Sequence, residues 1–277
     1  MVNNMNIRKN SGPVKWILIG ISTIFLVIML VLPLIYVLFT AFEEGVQVFL
    51  DAVTDEYALK SIGLTIEVTV IAVILNTIFG IFASWCITRF QFRGKKVIST
   101  LIDLPLTVSP IIAGLIYVLT FGRQSAIYPY LQQAGIKIIF AVPGIVLATI
   151  FVTFPFISRE IIPVLTAQGT DEEEAAALMG AGGFTIFREI TFPHIKWALL
   201  YGIVLCTARA MGEFGAVSVL SGHLRGKTNT MPLYIELLYQ GYDFTGAFAV
   251  SAILVLMAVA ILVLRSVLEN KGRTEGE

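Results

Sequence analysis

Arg209 and Glu213 are opposite charges four positions apart inside the apolar stretch 197–222. On a helix that spacing puts both on one face, within reach of a mutual ion pair. An unpaired charge at membrane depth is costly, so such residues are either paired for structure or used for function, and both readings stand here. Asp103 and Glu67 are the other ionisable residues within long apolar runs. Together they do not make the Ser/His pair, the paired aspartates or the metal-ligand cluster that an intramembrane enzyme needs. His194 and His223 stand far apart and read as surface residues, which leaves no metal site. The run Gly226-Lys227-Thr228 ends like a phosphate-binding loop, but Ser221 occupies its first position and no strand precedes it.

The elements that must hold these residues follow from composition. Of 277 residues, 57% are hydrophobic and only 14% charged, with mean hydropathy +0.86. A soluble domain carries about 25% charged residues, so the solvent for most of this chain is lipid. Lys plus Arg and Asp plus Glu both number 19, which gives no basic field for nucleic acid. Six apolar runs, 16–42, 62–88, 97–122, 138–158, 197–222 and 244–264, are long enough to span a bilayer as helices. The chain therefore reads as an all-α polytopic membrane protein. The first run is too long for a signal-peptide core and reads as an uncleaved span. Cys86 and Cys206 lie within apolar runs, which gives no disulfide framework. Pro105 and Pro110 kink the third run beside Thr107 and Ser109, as suits a moving gate, and Asp103 reads as a carboxylate snorkelling to the interface. Thirteen Lys and Arg residues flank the spans on one side against five on the other, which places both termini in the cytoplasm.

The organisation that results is a cytoplasmic tail over 1–15, a first helix over 16–42, a five-helix core over 62–265 and a second cytoplasmic tail over 266–277. Within the core, the cytoplasmic loop 159–196 is too long to be a bare connection. Thr170 with Glu173 reads as a capping box, and four carboxylates, Asp171 to Glu174, sit on the positive end of a short helix dipole. Gly180, Gly182 and Gly183 stop that helix. A second short helix follows over 184–190 and ends at Pro193. Two such helices either lie on the lipid headgroups or are covered by a partner.

The order Glu174-Ala175-Ala176, Gly180, Ile190 and Phe192-Pro193 resembles the EAA signature of the membrane subunits of ABC importers. Phe192 stands where that family has Leu. The resemblance implies the type I importer permease fold, also called MetI-like, with six transmembrane helices. It also implies that Glu174, Ala175, Ala176, Gly180, Ile190 and Pro193 form a coupling segment docking on a separate ATP-hydrolysing subunit. Two ATP-binding subunits, a second permease and an external receptor protein are the implied partners. No cofactor is implied.

The stretches 103–110 (Asp-Leu-Pro-Leu-Thr-Val-Ser-Pro) and 208–216 (Ala-Arg-Ala-Met-Gly-Glu-Phe-Gly-Ala) resemble permeases for tetrahedral oxyanions, and 217–222 with 225–228 resemble the CysW type of the sulfate and thiosulfate importers. That resemblance favours a related T-type subunit as the second permease and a bacterial inner-membrane location. Molybdate or tungstate is the alternative cargo. On this reading Thr107, Ser109 and Arg209 supply donors to a deprotonated anion, and a net-neutral Arg209/Glu213 pair gives the weak binding that a pathway needs. The convincing internal repeat expected of an autonomous secondary transporter is not evident.

Overall fold

In the computed structural model, which describes residues 13–274, the Asp55 carboxylate accepts the N–H groups of Tyr57 and Ala58 at 2.9 and 3.3 Å. That cap starts the longest helix, α4 (Glu56–Arg89), with Glu56 on the favourable end of its dipole. The helix begins at 56 and not at 62, because the apolar pattern marks the lipid-facing part and α4 projects beyond it. Ahead of it, the first span consists of α1 (Pro13–Leu26), a π-turn over Val27–Val31 and α2 (Leu32–Ala41). Pro33 stands two residues beyond Val31, where the π-turn ends. A proline ring presses on the carbonyl one turn back and offers no N–H, and a widened turn relieves both. The short helix α3 (Val46–Thr54) was not expected; it packs Phe49 against Ala41, Ala249 and Ala252.

The third span is broken. α5 (Lys95–Thr107) and α6 (Pro110–Phe121) meet at 111°, where one kinked helix was expected over 97–122. Ser109 precedes a proline and is driven out of the helical region to ψ 132, and Val108 is extended too. After α7 (Tyr128–Gln133), α8 (Val142–Gln168) runs ten residues past the expected end at 158, through Pro155 and Pro163. The connection expected over 159–196 is therefore mostly helix: α9 (Asp171–Leu178), α10 (Gly183–Ile186), a second π-turn over Phe187–Thr191 and α11 (Phe192–Met211). Pro193 does not end a helix here. It sits in the first turn of α11, just beyond a π-turn, as Pro33 does in the first span. α12 (Gly215–Ser221), α13 (Met231–Gln240) and α14 (Phe244–Thr274) complete the order. α14 continues through most of the tail expected from 266. Residues 1–12 of the first tail and 275–277 of the second lie outside the described residues.

Long-range contacts fix the direction of each span. Asn76 donates to Thr153 Oγ1 at 2.7 Å, Gly80 packs against Ile157, and Arg89 reaches the Leu165 carbonyl at 2.9 Å, so α4 and α8 run parallel. The chain between them must cross from one face to the other. That makes the α5–α6 pair a broken span and not a re-entrant loop, the sixth crossing beside Val14–Ala41, Glu56–Arg89, Val142–Gln168, Gly183–Met211 and Phe244–Val267. α11 returns along α8, with Gly202 against Ile157 and Cys206 beside Thr153. α14 begins in the cluster of Ala58, Tyr234 and Ala247, runs antiparallel to α2, and brings Arg265 against Tyr201. Both ends of the described chain thus lie on the face that carries α9.

Candidate functional site: the coupling segment and the broken spans

The capping box expected at the start of α9 is absent. Thr170 donates instead to Glu174 Oε1 at 2.7 Å, and Glu173 turns inward. Its carboxylate forms an ion pair with Arg89, whose Nη2 donates to Oε1 at 3.0 Å while Nε lies 2.8 Å from Oε2, and it accepts the Thr191 hydroxyl at 2.7 Å. Arg89 also donates to the Leu165 carbonyl and to Gln168 Oε1, at the end of α8, where carbonyls lack helical partners and the dipole favours a cation. The pair is nearly closed to solvent, with the Arg89 side chain 7% and the Glu173 side chain 13% exposed. A shielded charge-assisted bond with a hydroxyl beside it outcompetes a single cap bond. Sequence reasoning missed this pair, since Arg89 read only as one of the thirteen flanking cations and Glu173 as the capping-box carboxylate.

At its other end α9 closes on Gly180, whose φ of +88° only glycine adopts freely. Gly180 N–H bonds the Ala177 carbonyl and Ala181 N–H the Ala176 carbonyl, each at 3.0 Å. A side chain at Gly180 meets nothing within 4 Å, so the glycine is required by the backbone and not by space within this chain. Ala176 is buried beneath the helix and Ile190 half-buried in the π-turn, whereas Glu174, Ala175 and Pro193 are exposed. Leu178, Met179 and Phe184 stand out at 89%, 83% and 77% exposed and form an apolar knob around the turn. His194 lies on the surface as expected, 3.6 Å from Glu172.

The fifth run is also broken. α11 stops at Met211, and Gly212, Glu213 and Phe214 intervene before α12, where one helix was expected over 197–222. Arg209 and Glu213 do pair, at 2.7 Å, but across the helix end and not along a face. Glu213 Oε1 accepts the Ala216 N–H at 2.9 Å, so the carboxylate also caps the first turn of α12. The two breaks adjoin: a Cβ on Gly215 would lie 3.0 Å from Pro110, and one on Gly114 2.7 Å from the Ala216 carbonyl. Ser109 is exposed at this junction, while Thr107, also exposed, donates to its own helix at Leu104. Asp103 does more than snorkel. It pairs with Arg159 at 2.9 Å, both side chains about half exposed (45% and 59%).

The loop that imitates a phosphate cradle is held otherwise. The Arg225 guanidinium lies 4.3 Å over the Tyr57 ring, and Asn229 is buried. Among the described residues no group of His, Cys, Asp and Glu could hold a metal.

The model of the binding-protein-dependent transport system inner membrane component matches residues 76–271. The chain belongs to this family. It is thus a multi-pass inner-membrane subunit of a transport system that depends on a binding protein, and not an enzyme. It is 48% identical over 255 residues to the sulfate transport system permease protein CysW of Escherichia coli K12, covering 92% of this chain and 88% of that one. Identity is 45% over 258 residues to CysW of Synechocystis (93% and 94% covered) and 38% over 262 to the chloroplastic sulfate permease 2 of Chlamydomonas reinhardtii (95% and 71%). A bacterial alginate ABC transporter solved with a pentasaccharide-bound periplasmic protein superposes with a TM-score of 0.77 at 18% identity, covering 91% of this chain and 92% of that one. The shared fold is the MetI-like arrangement of importer permeases.

Proposed function

We propose that this chain is one permease half of an ATP-driven sulfate importer in the bacterial inner membrane. The near full-length identity to sulfate permeases carries the reading. The broken spans support it: the interruptions at 108–109 and 212–214 adjoin, and interrupted helices suit an anion path. Six helices enclose too little for a complete pathway, so a second, related permease of the T type completes it, and an external receptor delivers the anion. The thirteen-to-five charge asymmetry puts the face with α9, and both termini, in the cytoplasm. There the apolar knob of Leu178, Met179 and Phe184, with Glu174, Ala175 and Gly180, docks on one of two ATP-binding subunits, while Ala176, Ile190 and Pro193 seat the segment. Closure of those subunits displaces α9 and, through it, the spans.

Deleting the chain from cells with no other sulfate route tests this. Labelled sulfate uptake should vanish while phosphate uptake persists; unchanged sulfate uptake with lost molybdate uptake would move the cargo to molybdate.

A further inference from the structure

We propose that Arg89, Glu173 and Thr191 are the joint through which α9 moves α4, α8 and α11 as one body, with α5 attached to that body only softly. The proposal rests on the reading of α9 as the ATPase-docking segment. Four elements converge on two side chains: α4 supplies Arg89, α8 the Leu165 carbonyl and the Gln168 amide, α9 Glu173, and the π-turn leading into α11 supplies Thr191. All of these bonds are between 2.7 and 3.2 Å. The joint is shielded from water, so its bonds are not readily exchanged for bonds to solvent when a force is applied. The contrast is on the same face of the molecule. The charged tie of α5 to α8, Asp103 with Arg159, has both side chains open to water, and α5 otherwise rests on the apolar Ile102 and Pro105. An exposed pair holds its geometry weakly. Pulling or pushing on α9 therefore carries three spans rigidly and lets the broken α5–α6 span lag or pivot at Val108 and Ser109.

In this account Arg89 and Glu173 are positioning residues. Their side chains are largely shielded from solvent, whereas Leu178, Met179 and Phe184 form the exposed knob. Breaking the joint should leave the docking surface intact but let α9 move without the spans.

The test uses the whole importer in proteoliposomes: this chain, its partner permease, the ATPase subunits and sulfate-loaded receptor. The readout is sulfate transported per ATP hydrolysed, with co-purification of the subunits measured alongside. Arg89→Gln and Glu173→Gln should each lower that ratio about tenfold in assembled complexes, since each breaks a buried pair. Arg89→Lys keeps the charge without the fork and should recover to within about threefold of wild type. Asp103→Asn should stay near the wild-type ratio. A wild-type ratio in assembled Arg89→Gln, or a loss in Asp103→Asn as large as in Arg89→Gln, overturns the joint. If Arg89→Gln fails to assemble, Thr191→Val decides, because it removes one leg without stranding a charge; a wild-type ratio there also overturns the proposal. A wild-type importer that moves no sulfate would instead sink the cargo reading and not the joint.

Discussion

Glu213 holds Arg209 at 2.7 Å from beyond the end of α11, and the two are unequally placed: the carboxylate is 1% exposed and the guanidinium 33%. The asymmetry decides which loss costs more. Removing Arg209 strands a buried charge, at a cost of about 3–5 kcal/mol, while removing Glu213 frees a guanidinium that already reaches the surface. Arg209→Ala should lower the midpoint of thermal unfolding in detergent well below that of Glu213→Gln. Arg209→Ala/Glu213→Gln should recover most of the loss, because the Gln oxygen still accepts the Ala216 N–H. If that double variant is stable and imports sulfate, the pair is structural; if it is stable and does not, Arg209 lines the path.

Gly114 has no room for a methyl group, since a Cβ would lie 2.7 Å from the Ala216 carbonyl and 3.0 Å from Val219. Backbone cannot swing aside as a side chain can. Gly114→Ala should therefore push α6 off α12 and destabilise the protein by about 1–3 kcal/mol, whereas Gly63→Ala, with open space around it, should not. Thermal melts of the two variants check this.

Gly180 separates backbone need from space. With φ at +88° and no neighbour, Gly180→Asn should keep transport near wild type, because Asn tolerates the left-handed region, while the β-branched Gly180→Val should unwind the end of α9 and lower uptake severalfold. Equal damage by both would mean that the docked partner, and not the turn, sets the requirement.

Asp55 gives a pH dependence on the face opposite α9. Burial alone would raise its carboxyl, but the N–H groups of Tyr57 and Ala58, the Tyr234 hydroxyl and the charge of Arg225 together hold it below the usual carboxylate range. A depressed folded value stabilises above the unfolded value, near 4, and is lost as pH falls through the folded one. Stability measured from pH 6 downward should decline more steeply below about pH 4 in wild type than in Asp55→Asn.

Topology is checked with single cysteines at Tyr130 and Met179, both strongly exposed, in a background with Cys86 and Cys206 replaced. An impermeant maleimide should label position 130 in intact cells and position 179 only after permeabilisation. The reverse pattern would invert the molecule.

Much of this architecture was legible because lipid leaves few options: a long run of apolar residues must be helix. The breaks were harder. Pro105 and Pro110 marked the third span, but hydropathy treats Met211-Gly212-Glu213-Phe214-Gly215 as continuous, and the i, i+4 spacing found the Arg209 pair for a reason that the geometry does not share. The EAA pattern located α9 and its glycine stop. It could not reveal that Glu173 faces inward, since a run of four carboxylates carries no mark of which one meets a cation 84 positions away. That partnership depends on α4 and α8 ending at the same level.

The two π-turns make the helices that contain them tolerant of the loss of one residue. Each turn accommodates one residue more than an α-turn, and one residue is about 100° of rotation about a helix axis. Deleting a single residue between Phe187 and Thr191 would keep the helix and even regularise it. Because the extra residue is taken up within one turn, everything on its amino-terminal side, Phe184 included, would keep its bearing relative to α11, whereas the same deletion in a regular α-turn would swing it by about 100°. In this segment one deletion is absorbed, where elsewhere along a helix it would turn a whole flank away from its partners.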